Sequence, residues 1–537
     1  MKRALLLLAL AATLALPFAL RPRTGPDAAA DDTLVIISPH NEAVRTEFGH
    51  AFQRWYRART GRTVAVDWRV IGGTSEIARF LDGGYTAAFE AYWTGLLHRP
   101  WSNAVQAGFA TDRPAPGAPP AAAEARAAFL ASDVGCGIDL FFGGGSFDFA
   151  RQAQAGRLMP SGVLEQHPDW FGEAAIPAAY AGAEYRDPAG RWIGCVLSNF
   201  GIISNGAALQ RLGLDRPPAQ WADLADPRYL GRIALADPTK SGSIAAAFEN
   251  VIQQQMQQRL LALAAAAPGG DPAAREAQAV REGWTAGLRL LQLIAANGRY
   301  FTDSAQKVPI DVAAGDCAAG LCIDFFARQQ EESLHRRGVD GRIGYVAPAG
   351  GTVASVDPVA LLRGAPHRAV AAAFIEFVLS PEGQKIWGLK AGAPGGPEHY
   401  ALRRLPVRRD FYAQADLIPW RSDPGDAPFA DRSPLVYRPA WTGGLFREMS
   451  FVIRVMCIDA HPELVRAWRE INAAGQPAEA MAALQDVGAV NYAAVQGRIH
   501  AALAAPDRLL ELRLADELGA SFRRQYDRAA ELARAKR

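Results

Sequence analysis

The segment Leu34-Val35-Ile36-Ile37-Ser38-Pro39-His40-Asn41-Glu42 sets a short apolar run directly against a polar, proline-containing turn. A strand covered on both faces reads as such a continuous run. The expectation is a buried parallel strand, then a helix capped by Ser38 with Pro39 at its first position. Val44, Phe48, Ala51 and Trp55 follow at helical spacing, and Gly61 marks the helix end. Residues 64–70 alternate as a second strand. Gly72-Gly73-Thr74-Ser75 then opens a second helix.

The same strand, turn and helix succession recurs downstream. Residues 138–142 read as a buried strand, followed by Gly143-Gly144-Gly145-Ser146 and a helix near Phe147. Residues 196–204 (VLSNFGIIS), which include Asn199, form an apolar segment suited to cross between two bodies. Residues 233–236 are a strand, and the polar turn 237–243 opens a helix at 245–258. Residues 321–326 and 343–346 read as further strands. Residues 84–128 and 264–275, rich in Ala, Pro or Gly, are expected to be irregular. Beyond about 437 the pattern is helical, with stripes at Leu464, Val465, Trp468 and Ile471 and at Leu510, Leu514, Leu518, Phe522 and Tyr526. Alternating strands and helices imply an α/β protein with mostly parallel sheets. Such sheets bind ligands beyond the carboxyl ends of their strands, where all these turns fall.

Of the 537 residues half are apolar, and 57 basic residues face 55 acidic ones. The balance gives no reason to expect nucleic acid as a partner, and no basic patch interleaved with aromatics appears. Residues 1–30 read as a signal peptide or N-terminal anchor: Lys2 and Arg3, then an apolar run. No Cys follows the run to carry a lipid. The chain is expected to be exported to the periplasm, with an uncleaved tether as the alternative. Cys136, Cys195, Cys317, Cys322 and Cys457 are odd in number and lack metal-ligand spacing, so buried thiols are expected.

Four turns share one design, a strand end followed by small or hydroxyl residues and a helix start. They carry Ser38, His40 and Asn41; Gly73, Thr74 and Ser75; Gly144, Gly145 and Ser146; and Thr239, Ser241, Gly242 and Ser243. A helix start offers free N–H groups and a partial positive charge, so such turns suit an anion. Each turn also serves its own helix as a cap. Asp303, Asp324 and Asp357 are carboxylates near strand or loop ends. They suit a ligand amine, a metal or a helix cap. His40 with Glu42 forms a candidate metal pair beside the bland reading of a helix-start pair. The chain holds no G-x-S-x-G elbow, no P-loop and no H-E-x-x-H. Ser241 or Cys195 as the nucleophile of an exported hydrolase would lack a base and an orienting acid. No enzymatic activity and no cofactor are expected.

Several of these segments are similar to one known family. They are residues 34–42, Gly72-Gly73-Thr74-Ser75-Glu76-Ile77, Ala236-Asp237-Pro238-Thr239-Lys240-Ser241-Gly242-Ser243, residues 355–362, and Phe374-Ile375-Glu376-Phe377-Val378-Leu379-Ser380-Pro381-Glu382-Gly383-Gln384. They resemble family 1 extracellular solute-binding proteins of ABC transporters, nearest to the ferric-iron branch. The likeness spans about 33–412, with insertions near 84–128 and 260–280, and leaves out the tail. It implies a two-lobed type 2 periplasmic binding-protein fold with two crossing strands, to which the helical C-terminal extension is added. Lobe one would be 33–198 and 346–436, and lobe two 199–345. The extension, 437–537, is expected to pack on lobe one.

The resemblance further implies a monomer that closes on a small-molecule or metal–anion ligand and delivers it to an inner-membrane ABC permease. A ferric-iron binder and a ligand-sensing module for a membrane receptor are the alternatives. His40 matches the family's histidine ligand. The family's glutamate has no counterpart at Phe142-Gly143-Gly144-Gly145, and Phe325-Phe326 stand where ferric binders place two tyrosines. Phenyl rings offer Fe(III) no oxygen. The anion-holding turn transfers to Lys240-Ser241-Gly242-Ser243, with Asp303 and Asp324 nearby. An anionic or organophosphate-like solute is therefore expected.

Overall fold

Runs of buried aliphatic residues set the two sheets of this protein. The computed structural model describes residues 30–112, 117–430, 434–505 and 507–536. The expected export segment lies outside the described residues except for Ala30. The ten strands that matter are β1 (Asp32–Ile37), β2 (Val64–Arg69), β3 (Leu140–Phe142), β4 (Ile193–Ser198), β5 (Phe200–Asn205), β6 (Ile233–Ala236), β7 (Gly298–Thr302), β8 (Ala319–Ile323), β9 (Ile343–Val346) and β10 (Ser355–Leu362). The helices used below are α1 (Glu42–Thr60), α2 (Thr74–Ala91), α3 (Ser146–Gln154), α4 (Gly242–Ala266), α5 (Pro272–Ala296), α6 (Asp324–His335), α7 (Pro381–Gly388), α8 (His461–Ala473) and α9 (Arg508–Arg534).

Sheet one runs β4-β10-β3-β1-β2, with the short strands Leu405–Pro406 beside β4 and Leu158–Met159 beside β10, and sheet two runs β9-β5-β8-β6-β7. Both follow one plan. Three parallel strands stand in the order second, first, third, then comes an antiparallel strand, then an outer strand parallel to the first three. Leu34 lies opposite Val66, and Ile36 opposite Leu140. β10 is antiparallel to β3 and β4, and β5 is antiparallel to β8 and β9. Each antiparallel strand is built from chain that has just crossed from the other lobe, β5 after β4 and β10 after β9. This is the two-lobed type 2 arrangement that the resemblance implied.

The chain meets both lobes a third time, along a strap near 436–438. Val436 N–H donates to Gln257 Oε1 of α4 at 2.9 Å, Tyr437 N–H to the Ala181 carbonyl of lobe one at 2.8 Å, and Arg438 N–H to Gln253 Oε1 of α4 at 2.9 Å. Tyr437 Oη also donates to the buried Glu249 carboxylate of α4. Just before the strap, Arg328 of α6 pairs with Asp423 and Asp426.

The extension packs on lobe two, which corrects the expectation of lobe one. Its residues Met449, Leu464, Trp468, Ile471, Leu518, Phe522 and Tyr526 join one apolar core with Trp284, Leu288, Leu291 and Ile294 of α5. Trp284 Nε1 donates to the Val490 carbonyl, Trp468 Nε1 to Asn297 Oδ1, and Gln292 Nε2 to Tyr526 Oη. The sequence showed that the stripes needed cover, and it held no sign of which lobe would give it. The extension also touches lobe one, where Phe446 stacks on Phe147 at 4.8 Å.

Four local readings change. The first helix begins after Asn41, whose side chain accepts from Val44 N–H. Ser38 is still held as a strand end, since its N–H donates to the Arg69 carbonyl. Residues 84–128 are largely helical, with Asn103–Phe109 and Pro120–Leu130 joining α2 around Phe89 stacked on Phe109 and Phe129 set edge-on to both. The loop expected at 264–275 shrinks to the five residues between α4 and α5. Strand β8 ends at Ile323, so Phe325 and Phe326 sit in the first turn of α6. All five cysteines are free, and all but Cys136 are buried. No helix among the described residues is long and apolar enough to cross a membrane.

Candidate functional site

The three lobe-one turns meet at the carboxyl ends of β1 and β3. Ser38 Oγ accepts the His40 N–H at 3.1 Å. The His40 ring is buried against Phe142 at 4.7 Å and Trp387 of α7 at 5.7 Å. Gly143 and Gly144 have φ of 89° and 109°, a region that favours glycine. A Cβ on Gly143 would run into the His40 ring, and one on Gly144 would lie 2.7 Å from Thr74 Oγ1. The glycines thus let His40, Thr74 and the β3 turn converge. Gly73 and Gly145 occupy the cap positions of α2 and α3, and Ser75 and Ser146 lie partly exposed in their first turns.

Where the first two crossings pass, a fully buried arginine is held by lobe one and faces an aromatic ring of lobe two. Arg404 Nη2 donates to Asp357 Oδ2 and to Ser198 Oγ, both at 2.6 Å. Its guanidinium lies 4.1 Å from the Phe325 ring centre and 5.5 Å from Trp387. Arg404 Nε and Nη1 have no partner among the described residues, nor do His40 Nε2, Trp387 Nε1 and Asp324 Oδ2. Each such group costs about 1–3 kcal/mol when buried unsatisfied. Their gathering in one place therefore marks a site that a ligand or water completes. Asn199 sits between the crossing strands, its Oδ1 accepting from Tyr345 Oη at 2.6 Å and its carbonyl from Asp324 N–H at 3.0 Å.

Electrostatics sharpen the arrangement. Burial, then the charges of Arg404 and Arg45, holds the His40 imidazole well below its usual range, so the ring is neutral. Burial pushes the Asp324 carboxyl up to about 6, against the opposing pull of Arg328 and Arg404. Asp324 Oδ1 accepts from Phe325 N–H at 2.8 Å.

The lobe-two turn is built differently. Thr239 gives both its N–H and its hydroxyl to Asp237 Oδ1 at 2.7 Å. Ser241 is the cap of α4, accepting from Ile244 N–H at 3.4 Å and lying 3.0 Å from Ser243 Oγ. Gly242 opens the helix. The next turn of α4, at Ala246 and Ala247, packs with Phe200, Phe325 and Phe326. This apolar contact brings the α4 start towards Arg404, although its hydroxyls are already engaged. Thr239 and Asp303 are exposed.

His40 is not part of a metal-sized cluster. Among the described residues, three His, Cys, Asp or Glu side chains close enough to share one ion are His50, Glu398 and His399, away from the turns. The hydrolase reading finds no support in the geometry. Cys195 is fully buried, with its thiol pushed well above its usual range by that burial, and Ser241 Oγ has no histidine partner. An open groove of about 550 Å3 lies between α6 and residues 390–403. Arg403 there pairs with Glu331 and Asp423, and His335 with Asp340, and none of the residues with the unpartnered atoms above lines it.

Sequence reasoning missed Arg404, Asp357 as its partner, Ser198 and Trp387. The one signal is Leu402-Arg403-Arg404-Leu405, two arginines between leucines, which reads equally well as a solvated turn.

A profile described as bacterial extracellular solute-binding protein matches residues 137–406. The phosphoglycerate transport regulatory protein PgtC of Salmonella typhimurium is 26% identical over 233 residues, 43% of this chain and 50% of that protein. An uncharacterized protein of Haemophilus influenzae is 25% identical over 258 residues, 46% of this chain and 60% of that protein. The chain thus matches about half the length of PgtC. Among solved structures, the periplasmic binding protein AfuA of Actinobacillus pleuropneumoniae, with fructose-6-phosphate bound, aligns at TM-score 0.44 and 16% identity, covering 78% of this chain and 99% of that one. Iron-bound HitA of Pseudomonas aeruginosa aligns at TM-score 0.43 and 17% identity, covering 78% and 98%. With a profile match across half its length, the chain belongs to the bacterial extracellular solute-binding proteins.

Proposed function

We propose that the chain is the periplasmic solute-binding component of an ABC importer, and that it captures a small anionic solute at the junction of its lobes for delivery to an inner-membrane permease. One observation carries the reading: the buried Arg404 guanidinium keeps Nε and Nη1 without partners while Nη2 is fixed by Asp357 and Ser198. A guanidinium held from one side presents a fixed fork to a carboxylate or phosphate. Neutral His40 and the free Asp324 oxygen supply further hydrogen bonds beside it. The helix starts carrying Thr74, Ser146 and Ser243 add N–H groups favourable to negative charge. Phe325 lies over Arg404 where a ferric binder needs oxygen ligands, which weighs against bare Fe(III) as the cargo. The name of the relative PgtC, with its phosphoglycerate, is consistent with an organophosphate solute.

A thermal-shift screen of sugar phosphates, phosphonates, carboxylates, polyamines and ferric citrate tests this, followed by calorimetry on Arg404→Gln. A ligand at a hundredfold excess over its Kd stabilises the fold by about 2.7 kcal/mol, well within reach of the screen. The expected hit is an anion whose affinity falls roughly 10- to 150-fold in the variant, the worth of a charged hydrogen bond. A neutral or purely cationic solute as sole hit, or unchanged anion affinity in Arg404→Gln, defeats the reading.

The word "regulatory" in the relative's name favours one second reading, that the same capture informs a membrane receptor. Uptake in a strain lacking this chain, with the permease expressed constitutively, separates the two. Lost uptake means import, and retained uptake with lost induction means sensing.

A further inference from the structure

We propose that His50, Glu398 and His399 bind one borderline divalent transition-metal ion, of the Zn2+ class, on the exposed face of α1. His50 Nδ1 lies 4.0 Å and His399 Nε2 3.8 Å from the same oxygen, Glu398 Oε2. The other carboxylate oxygen, Oε1, is held by Arg54 Nη1 at 2.7 Å, so the carboxylate is turned with one free oxygen towards both rings. All three ligand atoms lie within 4.8 Å of one another, and all three residues are exposed.

What distinguishes this trio from chance surface neighbours is its buried backing. Glu47 sits one helical turn before His50 and is almost wholly buried. Its carboxylate accepts the N–H groups of Glu398, His399 and Tyr400 at 2.6, 2.7 and 2.8 Å. One carboxylate thus pins the backbone of both loop ligands to the helix that carries the third. Prior fixing of the ligand backbone lowers the ordering cost of binding.

Two imidazoles and one carboxylate oxygen are a donor set for Zn2+, with a fourth tetrahedral position left for water. Tetrahedral bonds of about 2.0–2.1 Å place ligand atoms about 3.3 Å apart. Rotation of exposed side chains covers the remaining contraction. Cu2+ and Ni2+ suit the same set. The site is separate from the lobe junction: His50 lies about 12 Å along α1 from its first residue. It nonetheless clips together the two segments that carry His40 and Arg404, because α1 begins just after His40 and residues 398–400 lead into Arg404.

Calorimetric titration of the tag-free full chain with ZnCl2 in a non-chelating buffer tests the site. The expected result is one Zn2+ per chain with a Kd in the micromolar range or tighter. His50→Ala, His399→Ala and Glu398→Gln each weaken it at least tenfold, while His335→Ala, an exposed histidine in lobe two, leaves it unchanged. Co2+ in place of Zn2+ should give visible d–d bands that vanish in His399→Ala. All three side chains are exposed, and matching unfolding curves in EDTA confirm that the variants fold. Binding no tighter than millimolar, or equal affinity in the wild type and in His50→Ala and His399→Ala, overturns the proposal.

Discussion

Lobe one and lobe two are built on one strand plan and finished in different ways. Lobe one closes its core with its own helices, around an aromatic layer of Phe48, Phe52, Phe142, Phe374 and Trp387. Lobe two shares a single core with the C-terminal extension. The α4–α5 hairpin carries the difference. α4 and α5 have 25 residues each, about 37 Å of helix, beside strands β6 and β8 of four and five residues, about 13–17 Å. α5 turns Trp284, Leu288, Leu291 and Ile294 into the core shared with the extension, while the far end of α4, with Leu261 exposed, stays open. A sheet plan therefore does not fix where a domain ends, because the helices laid on it do.

The largest expected effect comes from ending the chain after residue 436. Trp284, Leu288, Leu291 and Ile294 would then face water, at roughly 1.5–3 kcal/mol each. Their sum reaches the 5–15 kcal/mol that holds a typical domain together. Limited proteolysis should find lobe two cleaved throughout and lobe one protected. Equal melting of the full and shortened chains would break the contrast between the lobes.

A smaller effect should appear on changing pH. Asp324, at the lobe-two side of the junction, titrates near 6 when folded, above its ordinary 3.8. Between those values the folded state binds more protons than the unfolded one, so stability falls as pH rises through about 6. The loss is on the order of 2–3 kcal/mol. Asp324→Asn should flatten part of the decline in urea unfolding between pH 4.5 and 7.5. Other carboxyls that burial raises share the remainder: Asp148 in lobe one, at about 6, and Glu249, Glu331 and Asp459. A decline of undiminished slope in the variant would assign the effect elsewhere.

The smallest is Tyr526→Phe. Its hydroxyl accepts from Gln292 Nε2 and donates to the Met456 carbonyl, both at 2.9 Å, and so ties α9 to α5. Losing it should cost about 1–2 kcal/mol in denaturant unfolding. No loss would mean that shape alone seats the extension.

Strand runs such as residues 34–37 and 233–236 were legible because burial on both faces writes itself as composition. The helix-start turns were legible as turns. Whether a turn keeps polar atoms free was not, since Thr239 and Ser241 spend theirs locally while His40 does not. Arg403 and Arg404 illustrate the limit. Adjacent and identical in type, one pairs with Asp423 and Glu331 at the surface and the other lies buried under Phe325. Residues up to about two hundred positions away make that distinction, and no local pattern carries it. The 84–128 segment misled through its prolines, although its helices are held by stacked rings and by Gly108 set close against Ala122.

The strap near 436–438 bears on how the two lobes can part. Two connecting strands let a pair of bodies swing apart to whatever width solvent permits. Here a third length of chain is stitched alternately to Gln257, Ala181 and Gln253, so it acts as a leash with little slack. Parting the lobes at that point beyond the stretch of one hydrogen bond breaks the Tyr437–Ala181 link. Opening at that point therefore disrupts the strap's hydrogen bonds as well as bending the two crossing strands.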